Sequence, residues 1–330
     1  MKRGGAGDRA GLKFAFVKIG LAVGALMFTL LLGEVIARVY YRAAYGVSLF
    51  GNIRRDHEFG WEGRRVFGDP QTRRFRLLVV GDSMTNGAGV PDADLYSSVL
   101  GRRLDVEVFT YGGGGYGTLQ EYLVVNHYLP IVRPDLVVLQ VSYNDLINNS
   151  LELERASYFN NNFAIRPYLE GDRIRYHSPS RLARAASRSR LTYWCVMNGS
   201  RVAATLATKG LLHSVEIDME QGLTFEPLRR AAATTETLVA KLKARLGPVP
   251  LVAFAADHAR YWPGILQHQH VPFFDGVPSA IENTERVLGA SVRPDGAHWD
   301  VRGHRVVGEV LAPWIAEMQS AVRAGTTPTR

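Results

Sequence analysis

A run of apolar residues from Phe14 to Ala37, charged only at Lys18 and Glu34, constrains this chain more than any other feature. In an apolar medium its backbone N–H and C=O groups have to be satisfied within the segment, so it must be helical. At about 1.5 Å per residue it extends roughly 36 Å, enough to cross a bilayer core of about 30 Å. Lys18 can reach outward to a headgroup layer, and Glu34 lies near the opposite boundary beside Arg38 and the Tyr40-Tyr41 pair. The basic arm before it, residues 1–13 with Lys2, Arg3, Arg9 and Lys13, keeps the N-terminus on the cytoplasmic side and exports the bulk of the chain. Arg38 and Arg42 on the far side count against this orientation. Gly33-Glu34-Val35-Ile36-Ala37-Arg38 offers a poor cleavage site, so residues 14–37 read as a retained transmembrane anchor rather than a removable signal.

The remainder of the 330 residues, in a chain that is 46% hydrophobic, can bury one sizeable core. A single cysteine, Cys195, excludes an internal disulfide. It follows Tyr193-Trp194 in an apolar helical pattern and is expected to be buried in packing. The net charge of +8 is concentrated in the N-terminal arm and in arginine clusters at Arg64-Arg65, Arg73-Arg74 and Arg181 to Arg190. No nucleic-acid-binding module accompanies these clusters, so nucleic acid is not an expected partner; anionic lipid or an acidic polymer fits them better.

Residues 38–74 mix aromatic and charged side chains without a sustained period and read as a juxtamembrane connector. From residue 75 to 322, apolar runs alternate with helical patterns. Strands are expected at Arg76–Val80, Val106–Tyr111, Leu136–Val141, Val249–Ala255 and Val271–Phe274, and helices at Tyr96–Leu104, Leu119–Leu129, Thr235–Leu246, Ala280–Leu288 and Arg302–Val322. Such alternation implies an α/β domain with a mostly parallel sheet covered on both faces, and ligands then bind beyond the carboxyl ends of the strands. The stretch 148–226 breaks the rhythm and reads as an insertion over the crevice mouth; residues 323–330 read as a tail.

Within this frame, chemistry-bearing residues fall at strand ends. Leu77-Leu78-Val79-Val80 runs into Gly81-Asp82-Ser83, which delivers a hydroxyl to the sheet's rim. Asp295-Gly296-Ala297-His298 supplies a carboxylate and an imidazole three residues apart. Ser83 as nucleophile, His298 as general base and Asp295 as the acid that orients the imidazole are what acyl transfer requires. Gly115 and Asn144, each following a strand, can donate a backbone N–H and a side-chain amide to the oxygen that becomes negative, with the Ser83 N–H as a third donor.

These residues resemble the blocks of the SGNH hydrolase superfamily, also called the GDSL esterases and lipases. The first block falls on Gly81-Asp82-Ser83 and the second-block glycine on Gly115 within Tyr111 to Thr118. The third-block pair falls on Asn144-Asp145, and the last block on Asp295-Gly296-Ala297-His298, followed by Trp299 and Gly303-His304. Thr110 stands where the family usually has Asn, and Ser142 where it has Gly, departures that bear on the shape of the oxyanion site. The resemblance, spanning roughly residues 74–314, implies a three-layer α/β/α sandwich similar to flavodoxin, with no metal or organic cofactor. It implies a serine esterase acting on O-acyl, most often O-acetyl, groups. Anchored members of similar pattern imply a single-pass protein of the bacterial inner membrane whose domain faces the periplasm and works on envelope carbohydrate or exopolysaccharide. Alternatives on the same scaffold are an O-acyltransferase using the same triad and a non-catalytic carbohydrate-binding or assembly protein.

Other motifs compete less well. Gly112-x-Gly114-x-x-Gly117 after a strand has the form of a dinucleotide fingerprint, but Gln140 stands where an acidic residue at the end of the next strand is wanted. No Gly-Lys-Ser/Thr follows the glycines, which excludes a phosphate-binding P-loop. His268 and His270 read as exposed rather than metal ligands, His304 as structural, and the adjacent Asp257-His258 pair as pointing in different directions.

Overall fold

The computed structural model describes residues 6–158, 163–258, 260–292 and 298–326. Asp295, the side chains of the basic arm and the end of the tail lie outside the described residues. A single helix, α1 (Ala6–Tyr45), contains the apolar tract. Three short strands follow, β1 (Asp56–His57), β2 (Gly60–Trp61) and β3 (Arg64–Phe67), then β4 (Arg76–Gly81), α2 (Ser83–Asn86), α3 (Tyr96–Leu104), β5 (Glu107–Gly112), α4 (Thr118–Val132) and β6 (Leu136–Val141). Next come α5 (Asn144–Asn148), α6 (Leu151–Ala156), the hairpin β7 (Arg166–Glu170) and β8 (Arg173–His177), α7 (Arg181–Ala186), α8 (Arg190–Thr208) and α9 (Val215–Asp218). The chain closes with α10 (Glu226–Leu246), β9 (Leu251–Ala255), α11 (Trp262–His268), β10 (Phe273–Phe274), α12 (Gly276–Leu288) and α13 (Val301–Arg323).

The main sheet runs β10-β9-β6-β4-β5-β3, parallel throughout except for the antiparallel edge strand β3. Period-two alternation sends Leu78 and Val80 of β4 into one core and Leu77 and Val79 into the other. The first core packs against α4, α10 and α11 through Val124, Val125, Leu242 and Trp262; the second packs against α3, α12 and α13 through Leu100, Ile281, Val307 and Leu311. Each such fully buried side chain contributes about 1.5–3 kcal/mol. The result is the expected three-layer α/β/α sandwich. Its parallel strands have the order 2-1-3-4-5 of doubly wound folds, which opens a crevice where β4 meets β6.

The segment 38–74 differs from an open connector. α1 continues to Tyr45, and β3 pairs with β5 from Arg64↔Gly112 to Phe67↔Phe109. No apolar alternation announces β3, because it is a four-residue edge strand whose Arg64 reaches back to the Asn86, Gly87 and Val90 carbonyls and to Asp92. Cys195 also corrects an expectation: it is exposed, because α8 turns Leu191, Tyr193 and Met197 inward instead.

α1 is long and apolar enough, from Phe14 to Tyr45, to cross a membrane by length and composition. From Phe14 to Leu32 its side chains lie open, Leu21 70% exposed and Phe28 67% exposed, whereas from Gly33 onward one face packs on the domain and Ala37 is buried.

Candidate active site

β4 is buried from Leu77 to Gly81 and ends because Asp82 caps the short helix that follows, its carboxylate accepting the Met84 N–H at 2.8 Å. Ser83 is the first residue of that helix, half-buried at the sheet's carboxyl rim. The turn is fastened from the neighbouring strand. Gln140 Oε1 accepts the Asp82 N–H (3.1 Å), the Thr85 N–H (3.2 Å) and the Thr85 hydroxyl (2.9 Å), while its amide donates to Ser142 Oγ at 2.8 Å. Gly81 leaves room for this: a Cβ there would collide with Thr85 Oγ1 and Gln140 Oε1. The glutamine that argued against a dinucleotide site is therefore the brace of the serine turn. The signal for it was a polar residue inside Leu136–Val141, since a buried amide has to find partners.

The glycine loop follows β5. The Gly113 N–H bonds to Gly81 O at 3.2 Å, Asn86 Nδ2 donates to Gly112 O at 2.9 Å, and the Tyr116 N–H closes a turn on Gly113 O at 2.9 Å. Gly115 takes the third position of that turn at φ +73°, a conformation that strains any residue with a side chain. Its carbonyl is held from an unexpected quarter. Arg166, 1% exposed in β7, donates to Gly115 O at 2.7 Å and to Asn148 O at 3.0 Å. The same guanidinium lies 3.7 Å from the buried Glu154 carboxylate and 5.1 Å from the Trp61 ring centroid. One side chain of β7 thus ties the glycine loop to the end of α5, the helix that Asn144 begins. Nothing in the sequence marked it, because the groups it donates to are backbone carbonyls that only folding brings together.

His298 arrives from the far end of the chain. Trp299 bridges to Val292, and Asp300 caps α13 by accepting the Gly303 N–H at 2.8 Å, so the residue before them is set at the helix entrance. Ser83, Gly115, Asn144 and His298 all line one cavity of about 1420 Å³. Asp295, the remaining expected member, lies outside the described residues. The nearby His304 is buried, accepts the Tyr96 N–H at 3.2 Å and stacks on the Tyr96 ring; burial, with Arg64 adding, pulls it down to about 3, so it stays neutral. Asp257 accepts the Tyr143 N–H at 3.0 Å and lines the cavity, whereas His258 pairs outward with Glu282 at 2.6 Å. Burial pushes Asp257 up to about 6.

Behind Ser83 sits a group of buried carboxyls. Burial raises Asp82, opposed by the Met84 N–H, by Ser142, by His298 and by Gln140. Glu121, fully buried in the first turn of α4, is pushed well above the usual carboxylate range by burial and then by Asp82; among the described residues neither of its oxygens has a hydrogen-bond partner. Asp145 is raised by burial, Glu121 and Asp82, while its Oδ2 accepts the Ser142 N–H at 2.8 Å. Burial and mutual repulsion raise all three, and Glu121, with no hydrogen bond to its oxygens among the described residues, has the least to stabilise its charged form.

No family model matches the chain, and no curated protein matches it. Among solved structures it is similar to a protein of the G-D-S-L lipolytic family from Desulfitobacterium hafniense DCB-2, at 11% identity over 72% of this chain and 98% of that one, with a TM-score of 0.41. It is similar to a lipase/acylhydrolase from Enterococcus faecalis, at 12% identity over 73% of this chain and 95% of the other, TM-score 0.40. An acetylxylan esterase from Geobacillus stearothermophilus matches at 12% identity over 73% and 94% of the two chains, TM-score 0.38.

Proposed function

We propose that this chain is a membrane-anchored serine esterase of the SGNH type that removes O-acyl groups, acetyl above all, from carbohydrate. The observation that carries the reading is the convergence of Ser83, Gly115, Asn144 and His298 on one cavity at the carboxyl rim of a parallel sheet. The Ser83 oxygen attacks the acyl carbon while His298 takes its proton; the ester C–O bond breaks and the alcohol leaves with that proton. Water then attacks the acyl-enzyme, the serine recovers its proton and the carboxylic acid departs. The Gly115 N–H and the Asn144 amide stabilise the oxyanion in both steps, each worth about 10² to 10³ in rate. Asp295 holds the imidazole's tautomer. α1 serves as a single-pass anchor, with the domain on the extracytoplasmic side of a bacterial inner membrane.

Turnover of p-nitrophenyl acetate and of an acetylated sugar by the full chain, beside Ser83→Ala, tests this. The substitution is expected to lower both rates by on the order of 10⁴ with folding unchanged. Equal rates in the two proteins refute the esterase reading. Retention of the chain in membranes washed at alkaline pH tests the anchor.

A further inference from the structure

The cavity that holds Ser83 has an outer wall that is no part of the three α/β layers. Tyr40, Tyr41 and Tyr45 at the end of α1, with Tyr193, Trp194 and Met197 of α8, line the same space as the serine. The two helices are clamped together. The Glu34 carboxylate accepts the Ser189 hydroxyl (2.8 Å), the Arg190 N–H (3.1 Å) and the Leu191 N–H (2.9 Å), so the apolar helix caps the first turn of α8. Arg38 pairs with Glu34 at 2.7 Å and donates to Arg188 O at 2.9 Å; Arg190 donates to Ser48 O at 2.9 Å. The Tyr41 and Tyr193 rings meet edge-on, with centroids 5.8 Å apart.

These contacts set a depth. If the exposed apolar surface of α1 crosses a bilayer from Phe14, Glu34 lies roughly 30 Å further on, at the far boundary of the hydrocarbon core. The N-terminus of α8 then sits at headgroup level, and the tyrosines of α1 begin the cavity wall only about 9 Å above it. α8 presents Trp194, Val196 and Val202 openly, 46%, 39% and 60% exposed, the side chains that suit an interface between water and lipid.

We infer that the ester reaching Ser83 is membrane-borne: an amphiphile whose apolar part stays in the leaflet while its acylated polar part rises along the α1–α8 wall. This rests on the esterase and anchor readings above. On cleavage the acid leaves into water, and the alcohol, carrying the proton taken from Ser83, remains in the bilayer.

The test uses the full chain reconstituted in phosphatidylethanolamine–phosphatidylglycerol liposomes. Two probes share one ester, an acetylated glucoside carrying either a C18 alkyl chain or a methyl group. The C18 glucoside is expected to be deacetylated faster by about tenfold or more at equal bulk concentration, the factor that burying one or two methylenes supplies, with a rate that follows its mole fraction in the bilayer. Tyr193→Ser combined with Trp194→Ser is expected to lower the ratio of C18 to methyl turnover about fivefold or more. A ratio near one, a preference for the methyl glucoside, or a ratio untouched by the α8 substitutions overturns the inference while Ser83-dependent turnover persists. Turnover that survives Ser83→Ala, or release of the chain from alkaline-washed membranes, sinks the esterase or anchor reading, and this inference with it.

Discussion

The two walls of the candidate cavity are built on opposite principles. The inner wall, at the ends of β4, β5 and β6, is buried and its backbone is tied down: Gln140 fastens the serine turn with three accepted hydrogen bonds, and Arg166 holds two carbonyls at once. The outer wall, α1 against α8, is aromatic and partly open, and a few polar groups around Glu34 hold it. Groups that stabilise a developing charge need a fixed position, which buried hydrogen bonds supply. If the outer wall receives the apolar part of a substrate, as inferred above, ring edges on two helices supply the area for it.

The difference can be broken most forcefully at Arg166. Arg166→Ala leaves the Gly115 and Asn148 carbonyls without their guanidinium, and unfolding in denaturant is expected to show a loss of about 2–5 kcal/mol, the cost of two buried acceptors left without their donor. Arg166→Lys keeps the charge but not the forked geometry, so it should recover only part of the stability and less of the ester turnover. If turnover per folded molecule stays at the wild-type level in both variants, Arg166 is structural and does not position the glycine loop.

On the outer wall the expected effect is smaller and local. Glu34→Ala removes the cap of α8, worth about 1 kcal/mol, and should speed amide exchange in the first turn of α8 while the amides of β4 and β6 keep their protection. Equal acceleration in the sheet would mean that the two walls fold as one unit.

The smallest effect at neutral pH belongs to Glu121→Gln, because burial favours the uncharged carboxyl and the amide is its near-isostere. With the folded value raised, the contribution to stability is complete below the ordinary carboxylate range and is lost as pH rises through the raised value. The wild-type melting temperature should therefore fall from pH 6 to pH 9 more steeply than that of Glu121→Gln. Parallel slopes would place the proton elsewhere in the Asp82–Glu121–Asp145 group.

Much of the inner wall was legible in the residues themselves. Leu136–Val141 and Tyr96–Leu104 have the bounds their patterns predict, and Ser83, Gly115 and Asn144 follow β4, β5 and β6 as the strand-end rule requires. The outer wall was not legible. Glu34 read as a charge at a membrane boundary, and its partnership with residues 189–191 spans 155 positions of sequence. Arg166 fell unremarked in the stretch 148–226, and β3 lacked a period because two of its four residues are arginines, with Phe67 packing against Phe109 and Tyr128.

The sequence by itself determined the apolar helix, the parallel α/β layering and the residue types that meet at the strand ends, because periodicity and burial are local properties written in neighbouring residues. Only the tertiary structure decided that an arginine from β7 braces the glycine loop, that a carboxylate from the apolar helix caps α8, and that these helices wall the serine's cavity. Most of the hydrogen bonds among those contacts end on backbone atoms far away in the chain, and a backbone atom carries no mark in the sequence of what it will meet.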